Sequence, residues 1–194
     1  ALSDLAAAWA TVDPAGAAQA VAQIDQAQPE PRAFALYRSG QFSAAWEAAG
    51  AVKDDLEWSK AQQAIVSAWA SVDPEAAQAA AFKIADPMFQ GAALRDVAVA
   101  ARNLDTARSI GVPYYRVEAL TALGAYDEAF ALAGDLAEAY PLRGLALAWA
   151  ETDPKAALNV VDELKQPADK VAALWSIAQH DPAAADGLYD RMLE

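Results

Sequence analysis

At 194 residues, 56% hydrophobic and with 54 alanines, the chain is long enough to bury a sizeable core and is biased toward the best helix former. Acidic residues outnumber basic ones 27 to 14, and a formal net charge of −13 repels phosphate backbones and anionic headgroups, which argues against nucleic-acid and membrane-surface partners. With no cysteine, disulfides, thiolate catalysis and thiolate metal ligation are excluded, and no apolar run is long enough to span a bilayer. The first residue is Ala1, a small residue that suits release by signal peptidase, so a periplasmic or otherwise exported location is expected, with a cytoplasmic one left open.

Close relatives of one stretch recur along the chain. Ala8 to Ile24 reads AWATVDPAGAAQAVAQI, Ala68 to Ile84 reads AWASVDPEAAQAAAFKI, and Ala148 to Leu164 reads AWAETDPKAALNVVDEL; a weaker copy is SIAQHDPAAADGLYDRM, Ser176 to Met192. Each copy ends one helix, turns and starts another. Asp13, Asp73, Asp153 and Asp181 can cap the free N–H groups of the helix that follows, and Pro14, Pro74, Pro154 and Pro182 suit its first position, where no N–H is needed. The unit is therefore a helical hairpin.

In chain order, the first hairpin has helices at about Leu2–Ala10 and Pro14–Ile24, closed by Pro29 and Pro31. The second runs Arg32–Ser39 and Phe42–Val52, turning at Gly40, which can take the left-handed conformation that ends a helix. Leu56–Ser71, expected to be the longest helix, leads through Asp73–Pro74 to Glu75–Ala85. The fourth, Met88–Arg102 with a second helix at Leu104–Ile110 cut short by Gly111 and Pro113, is irregular. Tyr114–Leu123 and Tyr126–Leu136 turn at Gly124; Leu142–Ala150 pairs with Lys155–Leu164, and Ala168–Ala178 with Ala183–Leu193. An Ala marks the second helix of every unit, at Ala17, Ala45, Ala77, Ala107, Ala129, Ala157 and Ala185, spaced by 28, 32, 30, 22, 28 and 28 residues. The expected fold is all-α: one domain of about seven antiparallel helix pairs, with approximate bounds 1–28, 29–53, 54–86, 87–112, 113–137, 138–166 and 167–194. A hairpin this short cannot bury its apolar face alone, so the units stack as an α-solenoid.

Gly40, Phe42, Ala45 and Ala49 with Val52, and again Gly124, Tyr126, Ala129 and Ala133 with Leu136, follow a spacing that resembles the tetratricopeptide repeat. The spacing near 28 is shorter than that family's repeat of about 34 residues. The resemblance implies a right-handed superhelix whose first helices line a concave face used to bind proteins or peptides.

The candidate chemistry is sparse. The one histidine, His180, lies beside Asp181 with Ser176 nearby, which is formally a nucleophile constellation but is also a turn position in the repeat. Asp54–Asp55, Asp127–Glu128 and Asp162–Glu163 are adjacent on helices or connectors, point in different directions and read as solvated faces rather than catalytic pairs or metal cages. No catalytic, cofactor-binding or metal residue is assigned. Trp9, Trp69 and Trp149 share one repeat position, with Tyr37 and Ile177 at the same offset; they either fill gaps between hairpins or anchor a partner. Tyr114 and Tyr115 are further candidates for protein binding. Arg32, Arg116 and Lys170 recur three residues after a proline, where they pair with carboxylates of the preceding unit or line a groove for an acidic peptide.

The function expected is non-enzymatic: a protein–protein interaction module, adaptor or accessory subunit within a multi-subunit complex, with no cofactor and no membrane insertion. The alternative is a carrier of an apolar small molecule or lipid in the solenoid concavity, and a hydrolase or lyase comes third.

Overall fold

The computed structural model describes Gly16 and residues 29–50, 55–134, 140–183 and 185–193. The first expected hairpin, with Trp9 and the Asp13–Pro14 turn, otherwise lies outside the described residues. Regular structure among the described residues is entirely helical, in twelve helices that form two compact units, Ala1–Ala101 and Arg102–Glu194. The division falls inside the hairpin read as 87–112.

The first unit contains α1 (Pro29–Arg38), α2 (Phe42–Ala49), α3 (Asp55–Trp69), α4 (Pro74–Ala81) and α5 (Pro87–Ala101). Here α1 packs on α2, α2 on α3, α3 on α4, and α5 on both α3 and α4. Alanine makes this possible: Ala35, Ala45 and Ala49 are fully buried with Leu36 and Ile65, and Ala77 and Ala81 face a stretch of α5 in which Gly91, Ala92 and Ala93 are buried. Small side chains let the helix backbones approach. The helix expected to be longest, α3, and α5 each have 15 residues among those described.

The second unit contains α6 (Leu104–Ser109), α7 (Pro113–Ala122), α8 (Tyr126–Ala133), α9 (Tyr140–Ala150), α10 (Pro154–Glu163), α11 (Pro167–His180) and α12 (Ala185–Leu193). Each helix packs on the next, and the first helices α7, α9 and α11 also pack in succession. Its core includes large aliphatics, with Val117, Leu145, Val160, Val161 and Ile177 all buried.

Two kinds of turn join the two helices of a hairpin, and each recurs almost atom for atom. In the Asp-Pro turn, the Asp73 carboxylate accepts from Ala76 N at 3.0 Å and that of Asp153 from Ala156 N at 3.0 Å. The backbone angles of the two aspartates, φ −144°, ψ 85° and φ −142°, ψ 86°, are nearly the same. Each also donates its own N–H back to the preceding Trp carbonyl, Trp69 at 2.9 Å and Trp149 at 2.8 Å. The helices that follow bury the same register: Ala77, Ala80, Ala81 and Ile84 in one, Ala157, Val160, Val161 and Leu164 in the other. We expect Asp153→Ala to cost about 1 kcal/mol, a typical value for an N-cap, measurable as a lower urea midpoint, with the fold retained.

In the glycine turn, Gly40 and Gly124 sit at φ +74° and +77°. Gln41 N donates to Leu36 O and Ala125 N to Leu120 O, both at 2.9 Å, while Gly40 N and Gly124 N donate to Tyr37 O and Thr121 O, both at 3.1 Å. This double closure satisfies helix-end carbonyls and requires a left-handed residue, which glycine supplies without a Cβ penalty.

The last Asp-Pro turn departs from expectation. Asp181 N still donates to Ile177 O at 2.8 Å, but Pro182 and Ala183 remain in the turn and α12 starts only at Ala185. The same dipeptide thus closes a helix without starting the next one at its proline. Elsewhere a cap goes beyond the repeat signature: Asp86 accepts from Met88 N at 2.8 Å and Phe89 N at 3.2 Å, and Asn103 from Asp105 N at 3.0 Å and Thr106 N at 3.1 Å.

One backbone position is strained. Arg102, just after α5, is the non-glycine residue with positive φ among the described residues, at 50°. A Cβ in that region costs roughly 1–2 kcal/mol, partly offset by the extra unfolded-state entropy of glycine. Arg102→Gly is therefore expected to raise stability by up to about 1 kcal/mol, seen as a higher thermal midpoint.

Candidate functional site

Of the aromatic residues singled out in the sequence, the structure buries Trp149, while Tyr37, Trp69, Tyr114 and Tyr115 are half-buried and each in contact with another ring. Trp149, 7% exposed, stacks on Tyr126 with ring centroids 5.5 Å apart and planes at 22°, and meets Phe130 edge-on at 6.3 Å. Trp69, half-buried, stacks on Phe42 at 6.4 Å and the same 22°. In both cases the partner is the aromatic two residues after the turn glycine of the preceding hairpin, Phe42 after Gly40 and Tyr126 after Gly124. Where the preceding turn has Pro154 in place of that aromatic, the position after it is Ile177, an aliphatic and 99% buried. The two tryptophans at this position thus each meet a ring presented by the preceding glycine turn.

Tyr37 is half-buried in the same first-unit ladder, 6.5 Å from Phe34 and 6.3 Å from Phe42, and thus reaches Trp69 through the shared Phe42 ring. Trp46 and Trp58 add a second contact between α2 and α3 at 5.7 Å. Tyr114 and Tyr115, also half-buried, meet edge to face at 5.1 Å and open α7. Trp9 lies outside the described residues.

Of the cations that recur after a proline, Arg116 has a partner different from the one expected, and Gln90 at the same offset finds a similar one. Arg116 Nε donates to the Ile110 carbonyl at 2.7 Å, and Gln90 Nε2 donates to the Ile84 carbonyl at 3.0 Å and the Phe82 carbonyl at 3.3 Å. In both the side chain reaches six residues back, to a carbonyl at the end of the previous hairpin's second helix. That end is where a helix leaves its carbonyls unpaired and concentrates negative charge. The partner is backbone, not the carboxylate of a neighbouring unit.

Carboxylates do take part in ties between hairpins. Arg108 grips Glu128 with two hydrogen bonds, Nε to Oε2 at 2.9 Å and Nη2 to Oε1 at 2.6 Å, and reaches Asp105 at 3.2 Å. Its hydrogen bond holds the Glu128 carboxyl below the usual range. Asp162 receives Arg191 at 2.7 Å, and Asp169 lies 3.5 Å from Arg143. All are at the surface, where ion pairs contribute little individually. A half-buried network joins α3 to α5, with Gln63 donating to Ser67, Ser67 to Asp96, and Arg95 to Asp96 at 2.8 Å.

His180 Nδ1 donates to the Ser176 carbonyl at 2.8 Å, so the link between these two residues runs through backbone and not through the serine hydroxyl. Among the described residues no group of three or more His, Asp and Glu side chains could hold a metal ion, and no helix is long and apolar enough to cross a membrane.

The surface feature that the sequence reading missed is on the last hairpin. Trp175 is 51% exposed and Tyr189 40%, their rings 5.8 Å apart and tilted by 45°, and Val171, 41% exposed, lies one turn before Trp175 on α11. The signal for it was present: α11 buries Ala173, Leu174, Ile177 and Ala178 on one stripe, and Val171 and Trp175 form a second apolar stripe beside it. On α10 the equivalent of Tyr189, 28 residues earlier, is Val161, buried where α10 packs against α11.

The helices and their surface place the protein among all-helical chains built from hairpins. Comparison adds no family: no family model, curated protein or solved structure matches the chain.

Proposed function

We propose that this chain is a non-enzymatic protein–protein interaction module, an adaptor or accessory subunit of a larger assembly, built as a tetratricopeptide-like solenoid of about seven helix pairs. The repeat architecture is supported by the neighbour-to-neighbour packing within each unit and by the duplicated turns at Asp73 and Asp153 and at Gly40 and Gly124. The binding role rests on one observation, the exposed Val171, Trp175 and Tyr189 side chains clustered on α11 and α12. Aromatic rings left half in water lose little on being covered by a partner and gain their remaining burial, which is why such residues dominate interface energetics. By contrast, the ring of Trp149 is already covered within the chain, and a partner would have little of it left to bury.

The test is affinity capture from the native source with the wild-type chain and with a Trp175→Ser, Tyr189→Ser double variant. The expected result is a defined protein recovered with the wild type and lost by more than tenfold with the variant, while helical circular dichroism stays the same. Recovery of the wild type alone, or a variant that keeps the same partner, overturns the reading.

A further inference from the structure

We draw no further inference here: the strongest candidate, the exposed Val171–Trp175–Tyr189 face of α11 and α12, already carries the functional reading above, and nothing in the structure shows what covers it.

Discussion

Trp149→Ala is expected to destabilise the chain by about 3–5 kcal/mol, the range for removing a large buried aromatic. The side chain is 7% exposed and contacts Tyr126 by stacking and Phe130 edge-on, so truncation removes both ring contacts between α8 and α9 and leaves two rings facing a cavity. Aromatic pair geometry adds about 0.5–1.5 kcal/mol beyond burial, so Trp149→Leu should recover only part of the loss. Urea unfolding followed by circular dichroism is the measurement. Trp69→Ala provides the internal comparison: half-buried and stacked on Phe42 alone of the two hairpin-turn aromatics, it should cost clearly less. Equal stability of Trp149→Ala and wild type would show that the ring does not belong to the core, and would return it to the set of candidate binding anchors.

The second large effect is expected at Arg116. Replacing it with Met keeps most of the aliphatic stem but removes the donor to Ile110 O, a hydrogen bond 2.7 Å long from a charged group to a helix-end carbonyl. Ile110 itself is fully buried, so its carbonyl has little access to a replacement. Hydrogen bonds to charged groups contribute about 1.5–3 kcal/mol, and Arg116→Met should lose an amount in that range. Arg116→Gln tests the mechanism separately from the charge, because Gln90 makes the equivalent bonds without one. If Gln restores most of the lost stability, the donor matters; if Gln is as damaging as Met, the cation's interaction with the helix end is the larger part.

Much of this architecture could be read from the chain. The caps at Asp73 and Asp153 and the left-handed turn at Gly40 were legible because each is fixed by local chemistry: a short acceptor side chain before a proline, or a residue without a Cβ. Helix ends were less so, as the start of α12 shows, because Asp181–Pro182 has the same local chemistry and a different outcome. The partner of Arg116 was hidden for another reason. A long cation beside acidic neighbours suggests a carboxylate, and only the folded geometry shows that a backbone carbonyl six residues back is nearer. Trp175 is not legible from the repeat position, which Ile177 holds in that hairpin, because exposure depends on which helix packs on α11 from each side.

The two stacked pairs, Phe42 with Trp69 and Tyr126 with Trp149, stand at the same kind of junction, one in each unit. In each, the ring two residues after the turn glycine is covered by the tryptophan of the hairpin that follows, and Phe42 also meets Tyr37 of its own hairpin. Each stacked pair therefore ties a glycine-turn hairpin to the Asp-Pro hairpin that follows it.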